Sequence, residues 1–297
     1  MPRAAANGIE IEYELSGPEG GRPLLMIHGI GAQLIRWPPA LCEAFHAAGF
    51  RTIRFDNRDV GLSSHLHGAP VPDIAAVLAA RKRGEAPELP YTVGDMAGDA
   101  AGLLGAIGVE RAHVLGVSLG GAIAQTLAVE HPARVASLNI VMATSNNPDL
   151  PPSRPEAMAA LTARAPDPAE DEEAYLAAAV ALARALGSPG YPADEATLRA
   201  GAREAGRRAY DPAGVARQTA ASRGAADRRA ALARLGAPTL VIHGADDPLI
   251  PLAAGQDIAA AVPGAWLLVL GGMGHDLPAP LFDVIVSAVA ANARRAG

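Results

Sequence analysis

The sequence is poor in cysteine, since Cys42 is the only one in 297 residues. A single thiol excludes an internal disulfide and any zinc site built from several cysteines. It agrees with a reducing compartment, where structural disulfides are rare. The simplest interpretation of Cys42 is a buried, chemically inert thiol.

Blocks of basic residues and long apolar runs are also missing. Twenty-five Lys and Arg stand against 31 Asp and Glu, for a net charge of −6, and no positive stripe of the kind that nucleic acid requires is present. The apolar run Leu176–Leu186 contains Arg184 and is shorter than the ~18 apolar residues of a membrane span. The segment Met1–Gly8 has no signal-peptide core. We expect a cytoplasmic protein that binds a small molecule rather than nucleic acid or a membrane; the sequence does not indicate its oligomeric state.

The chain has the composition of a folded protein, with 50% hydrophobic and 19% charged residues. Its length suits one large α/β domain or two small ones. Apolar runs alternate with helical stretches, which is typical of a mostly parallel sheet covered on both faces. The predicted strands are Ile9–Leu15, Pro23–Ile27, Arg51–Phe55, His113–Gly116, Val135–Ala143, Pro238–His243 and Trp266–Leu270; the predicted helices include one from Thr92, with a capping-box variant, to Ile107, then Leu119–Val129 and Leu281–Arg295.

This alternation stops between about Thr144 and Leu235. The segment contains no convincing strand, only alanine-rich helical stretches separated by prolines. They are Glu172–Leu186, Glu195–Arg208 and Val215–Arg223. We therefore predict a helical cap over residues 144–235, inserted into an α/β core made of residues 1–143 and 236–297.

Ser118 lies in the pentapeptide Gly116-Val117-Ser118-Leu119-Gly120, between a predicted strand and a predicted helix. A one-step turn from strand to helix strains the serine backbone, and side chains two positions away on either side would collide with it. Glycine at both positions is therefore what a nucleophile elbow requires. We predict that Ser118 is a nucleophile.

A serine hydroxyl needs a base within hydrogen-bond reach and a third group that orients the base. His275 follows the last predicted strand in a glycine-rich loop and is the predicted base. Asp246 and Asp247 follow the preceding strand, and either could accept a hydrogen bond from the histidine. The order Ser, Asp, His is the one expected for this architecture.

An acyl-transfer site also needs two N–H donors for the oxyanion. Leu119, at the start of its helix, supplies one backbone N–H. The turn His28-Gly29-Ile30-Gly31 after an early strand supplies the other from Ile30. No metal or cofactor is expected.

Other residues have structural interpretations that compete with functional ones. His46, His113, His131 and His243 lie in predicted regular elements or turns, and the pair His65 and His67 lacks a carboxylate or thiol at ligand spacing. Trp37 could contact the acyl part of a substrate or fill the core. Tyr175, Tyr191 and Tyr210 of the predicted cap are open to the same two interpretations.

These motifs together resemble the α/β-hydrolase superfamily, and within it the aclacinomycin methylesterase-like carboxylic ester hydrolases. The resemblance rests on His28-Gly29, the segment Asp56–Ser63, Gly116–Gly120, His243–Pro248 and Gly274-His275, so it covers nearly the whole chain. It implies an eight-stranded, mostly parallel sheet with a helical cap. It also implies that Asp247, directly before proline, is the catalytic acid, that His28 supports its loop without transferring protons, and that Asp56, Arg58 and Asp59 form a turn bracing that loop.

The predicted function is a carboxylesterase that works through an acyl-enzyme. The same triad could serve cofactor-free perhydrolysis, a lyase reaction or C–C bond hydrolysis. A dinucleotide-binding oxidoreductase is a weaker alternative, because Leu34 stands where the Gly29-Ile30-Gly31 pattern would need a third small residue. A binding protein that has lost turnover is disfavoured by the intact Ser118, Asp247 and His275.

Overall fold

The computed structural model describes residues 1–297, and its centre is an eight-stranded sheet in the order β1-β2-β4-β3-β5-β6-β7-β8. The antiparallel pairs are β1 with β2 and β2 with β4, and all other neighbours are parallel. The strands are β1 Arg3–Ala6, β2 Ile9–Ser16, β3 Arg22–Ile27, β4 Phe50–Phe55, β5 Ala112–Val117, β6 Val135–Val141, β7 Thr239–Gly244 and β8 Trp266–Leu270. The predicted α/β class is confirmed.

Eleven α-helices surround or extend this sheet. They are α1 Pro39–Ala47, α2 Ile74–Lys82, α3 Val93–Ala106, α4 Leu119–Glu130, α5 Pro155–Thr162, α6 Glu172–Leu186, α7 Glu195–Arg208, α8 Pro212–Gly224, α9 Arg229–Leu232, α10 Leu252–Ala261 and α11 Phe282–Arg294. No helix is both long and apolar enough to pass through a bilayer.

The central strands bury both faces, and β3 shows how. Leu24 and Met26 belong to the core cluster that includes residues of α1 and α11. Leu25 and Ile27 belong to the cluster formed with α3, α4 and α10. Successive side chains of a strand point to opposite faces, so an unbroken apolar run supplies both layers of the core.

Two details of the sheet differ from the sequence-based prediction. The strand β1, Arg3–Ala6, was not predicted, because an alanine run has no β-branched pattern and is held only by pairing with β2. The predicted strand Val135–Ala143 ends at Val141, since Met142 has φ of 42°, outside the extended region.

Helices α5–α9 all lie between β6 and β7, with no strand among them. The helices predicted over Glu172–Leu186 and Glu195–Arg208 have those bounds, and the one predicted over Val215–Arg223 extends to Pro212–Gly224. We refer to residues 144–235 as the helical insertion.

Candidate active site

Ser118 lies in the turn between β5 and α4 with φ of 57° and ψ of −120°. A Cβ added to Gly116 would lie 2.2 Å from the carbonyl oxygen of Gly120, and one added to Gly120 would lie 2.0 Å from that of Ile27. Neither position can hold a side chain without moving backbone. The strained serine and its two flanking glycines are therefore one structural unit, as the pentapeptide predicts.

His275 contacts both Ser118 and Asp247. Its Nδ1 lies 2.8 Å from Oδ2 of Asp247, and its Nε2 lies 3.1 Å from Oγ of Ser118. An ionised carboxylate can only accept, so Nδ1 carries the proton that it shares with Asp247. In the neutral ring Nε2 is then free to accept the hydroxyl proton of Ser118.

Asp247 has a fully buried side chain held in place by its own loop. Its Oδ1 accepts hydrogen bonds from the backbone N–H groups of Leu249, at 2.9 Å, and Ile250, at 2.8 Å. The neighbouring Asp246 instead accepts a bond from the N–H of Gly272 at 2.8 Å. Of the two candidate carboxylates, the structure thus brings Asp247 to the histidine. It places Asp246 against the backbone of the loop that carries His275.

His243 supports this arrangement from the end of β7. Its Nε2 donates to the carbonyl oxygen of Ile250 at 2.8 Å and so fixes the turn that holds Asp247. Burial lowers the pKa of His243, which keeps the ring neutral beside the carboxylate. The sequence indicated only a structural histidine here, and gave no sign of this contact.

The turn from His28 to Gly31 lies directly above Ser118. A Cβ added to Gly29 would be 3.1 Å from Cβ of Ser118. No acceptor within the protein bonds to the N–H of Ile30, and Leu119 is the first residue of α4, so its N–H has no partner one turn earlier in the helix. Both predicted oxyanion donors are therefore placed near the serine with unused N–H groups.

His28 has a supporting position in that turn. Its Nδ1 accepts the N–H of Gly29 at 2.8 Å. Desolvation of the ring, reinforced by the positive charge of Arg36, lowers its pKa to about 3. Trp37 packs edge-on against it with ring centroids 4.8 Å apart and has no exposed surface. Its placement agrees with the core-filling interpretation of Trp37.

The segment after β4 braces this region, as the resemblance implies. Asp56 accepts the N–H of Leu34 at 2.7 Å, and Asn57 donates its side-chain amide to the carbonyl oxygen of His28 at 3.2 Å. Arg58 forms two hydrogen bonds of 2.6 Å to the buried carboxylate of Asp99. These bonds fix the turn relative to the sheet.

Asp59, His65 and Asp211 bring three possible metal-ligating atoms within 4.8 Å of one another. Arg217 fills the space that a cation would use, because its Nε lies 2.7 Å from Asp59 and its Nη2 lies 3.6 Å from Asp211. Nδ1 of His65 is 2.7 Å from Asp211. The donor set fits an ion-pair network between the helical insertion and the core better than a metal site.

The helical insertion also bonds to the loop that carries His275. The N–H of His275 donates to the carbonyl oxygen of Leu186 at 2.7 Å, and that of Gly274 donates to Oγ of Ser188 at 2.9 Å. Sequence reasoning missed Ser188, because a lone serine in a Gly-Ser-Pro-Gly loop carries no signal of a distant partner.

The ring of Tyr191 lies against Gly272 in the loop that carries His275. Most other candidate histidines and tyrosines have partners outside the Ser118–His275–Asp247 hydrogen bonds. His46 bonds to Thr52 and His113 to Ser137, while His67 stacks on His65. Tyr210 donates to the carbonyl oxygen of Ala165 and packs edge-on against Tyr175. These contacts give each of them a structural role.

Comparison with known proteins identifies the family. Residues 22–278 match the family model of the alpha/beta hydrolase fold. Rhodomycin D methylesterase DauP of Streptomyces sp. (strain C5) is 29% identical over 94% of this chain and 93% of its own. The enol-lactonase from Burkholderia xenovorans LB400 superposes with a TM-score of 0.70 and 26% identity, covering 98% of this chain and 99% of its own. A meta-cleavage product hydrolase from Pseudomonas fluorescens IP01 has a TM-score of 0.74 at 18% identity, covering 100% and 98%. Because the family model matches most of the chain and the relatives align with it from end to end, this chain belongs to the α/β-hydrolase family.

Proposed function

We propose that this protein is a serine hydrolase that cleaves carboxylic esters of small molecules through an acyl-enzyme. The observation that carries the proposal is the continuous chain of hydrogen bonds from Ser118 through His275 to Asp247. A base at 3.1 Å and an orienting carboxylate at 2.8 Å are what activation of a hydroxyl requires. The rhodomycin D methylesterase relative supports an ester as the bond that is cleaved.

The proposed reaction has two stages. Oγ of Ser118 attacks the ester carbonyl carbon while Nε2 of His275 takes the hydroxyl proton, and Asp247 stabilises the resulting imidazolium. The N–H groups of Ile30 and Leu119 bind the oxyanion. The intermediate collapses as His275 protonates the leaving alcohol. His275 then takes a proton from the water that attacks the acyl-enzyme and returns it to Oγ of Ser118 as the C–O bond to the serine breaks and the acid leaves.

We propose that the helical insertion serves as the cap of this site. The proposal is supported by the hydrogen bonds of the insertion to the two loops that carry Ile30 and His275. Trp37 is not part of the proposed substrate site, since its side chain has no exposed surface. A cytoplasmic location stays a prediction from the sequence, and cell fractionation would test it.

The test is hydrolysis of p-nitrophenyl esters from C2 to C12, with a methyl ester of an aromatic acid as a second substrate. We expect turnover of short chains that is lost in Ser118→Ala. A vinylogous 1,5-diketone, which a C–C bond hydrolase cleaves, is the comparison substrate. Turnover of the diketone without turnover of any ester would contradict the proposal and favour C–C bond hydrolysis.

A further inference from the structure

Gln218 of α8 joins the helical insertion to the turn above Ser118. Its Oε1 accepts the N–H of Gly31 at 2.8 Å, and its Nε2 donates to the carbonyl oxygen of Arg58 at 2.8 Å. The side chain is fully buried. Because an N–H can only donate and a carbonyl oxygen can only accept, the two partners fix the orientation of the amide.

The bond between Gly31 and Gln218 holds one end of a segment of three peptide groups that runs from His28 to Gly31. The middle peptide group carries the N–H of Ile30. The other end is held by Asn57, which donates to the carbonyl oxygen of His28. Gly31 has φ of 66°, and a Cβ added there would lie 3.1 Å from Cγ2 of Val215, so α8 packs closely on the turn. The carbonyl oxygen of Gly29, in the same peptide group as the N–H of Ile30, accepts the N–H of Ala32 at 3.3 Å, so a displacement of the turn at Gly31 would also turn this peptide group. Gln218 and Asn57 together restrict that movement.

The side-chain amide of Gln218 also links the turn to the segment that follows β4. Arg58, whose carbonyl oxygen Gln218 bonds, is itself anchored to Asp99. Next to Gln218 in sequence, Arg217 forms a buried ion pair with Asp59. The helix α8 is therefore fixed to the core at the point where its glutamine reaches the turn, and Gln218 has little freedom to follow a displaced Gly31.

We infer that Gln218 is a positioning residue for the oxyanion site, and that the helical insertion completes this site as well as covering it. The inference rests on the proposed ester hydrolysis. Gln218 does not touch substrate; it directs the N–H of Ile30 toward the charge that develops on the carbonyl oxygen. A preorganised donor stabilises the transition state more than the bound ester, so its effect falls on kcat and not on KM.

The experiment compares Gln218→Met with Gln218→Glu in the full-length protein. Methionine matches the length of glutamine and loses both hydrogen bonds. Glutamate retains an oxygen that accepts the N–H of Gly31, and its carboxyl, kept protonated by burial, donates to the carbonyl oxygen of Arg58 in place of the amide. We expect Gln218→Met to lower kcat for p-nitrophenyl acetate by roughly 10- to 100-fold, below the ~10²- to 10³-fold loss of a whole oxyanion donor. KM should change by less than about threefold, and Gln218→Glu should recover most of the lost kcat.

Inhibition by phenylboronic acid gives an independent readout. Its tetrahedral serine adduct places an oxygen where the oxyanion forms, so its Ki should rise in Gln218→Met by about the factor by which kcat/KM falls. The control is Gln125→Met, which removes another fully buried glutamine, one that bonds Thr144 and Arg228 and makes no bond to the turn that carries Ile30. It should lower the melting temperature without changing kcat or Ki.

Three results would overturn the inference. They are an unchanged kcat in folded Gln218→Met, a rise in KM without a loss of kcat, and an equal loss of kcat in Gln125→Met. If the unmodified protein itself hydrolysed no ester and formed no adduct with a fluorophosphonate, the proposed function would fail, and the inference with it. If the unmodified protein hydrolysed esters and Gln218→Met had the same kcat, only the inference about Gln218 would fail.

Discussion

Oγ of Ser118 lies 3.1 Å from Nε2 of His275, although 157 residues separate them along the chain. The serine is held by the β5–α4 turn and the histidine by a loop after β8, at the carboxyl ends of parallel strands. In sheets of this kind such ends meet at one edge, which is where ligands and catalytic groups gather. The contact is the basis of the predictions below.

Replacing Ser118 by alanine removes the proposed nucleophile. We expect kcat for a short p-nitrophenyl ester to fall by a factor approaching ~10⁶, because removing the nucleophile of such a unit costs nearly as much as removing the whole unit. Labelling by a fluorophosphonate should also be lost. Ser287→Ala, on the exposed face of α11, is the matched control and should behave as the unmodified protein. A residual rate within tenfold would exclude the covalent mechanism.

The two adjacent carboxylates should respond very differently. Asp247→Asn removes the acceptor that fixes the tautomer of His275, so we expect kcat to fall on the order of 10⁴-fold. Asp246→Asn retains an amide oxygen that can still accept from Gly272, so its effect should be less than about fivefold. Steady-state kinetics on one ester distinguish them. The reverse ranking would assign the orienting role to Asp246.

The ion pair between Arg217 and Asp59 should contribute to stability through burial of both partners, whose side chains are 2% and 0% exposed. Breaking such a pair leaves an uncompensated buried charge, so Arg217→Met should lower the free energy of unfolding by roughly 3–5 kcal/mol. Urea denaturation measures it. Adding Asp59→Asn, which tolerates the φ of 65° at this position, should recover part of the loss. No recovery in the double variant would mean that Arg217 acts through packing alone.

Buried neutral histidines should make stability depend on pH. Burial, with Arg22 nearby, lowers the pKa of His113 to about 4, against an unfolded value of ~6.5. Between these values the unfolded chain binds a proton that the folded chain does not, so the free energy of unfolding falls as pH decreases. One such histidine contributes a slope of up to about 1.4 kcal/mol per pH unit.

His113→Gln tests this slope. Urea titrations give the free energy of unfolding between pH 6 and pH 4. As pH decreases, it should fall less steeply in the variant than in the unmodified protein, and the difference in slope should correspond to about one bound proton. His67→Gln, at an exposed position, is the control and should leave the slope unchanged. Parallel curves for all three proteins would show that His113 is protonated in the folded state.

Much of the fold is readable from local patterns. The apolar run of β3 supplies both faces of the core, and Thr92 with Asp95 forms the capping box that begins α3. The strand β1 is the exception, because its alanines pair with β2 only in the folded sheet. The end of β6 is a second exception, since nothing in the side chain of Met142 predicts its positive φ.

The nucleophile turn follows from local sequence, because the glycines around Ser118 reflect a steric requirement that few other residues satisfy. The sequence also named His275, and narrowed the carboxylate to two neighbours. The family resemblance pointed to Asp247, and the folded chain brings that carboxylate, not Asp246, to the histidine. The bonds of Gln218, Ser188 and Arg217 in the helical insertion to the core are visible in the folded structure alone. Such bonds join residues far apart in the chain, and a single hydrogen bond leaves no periodic or spacing pattern in the sequence.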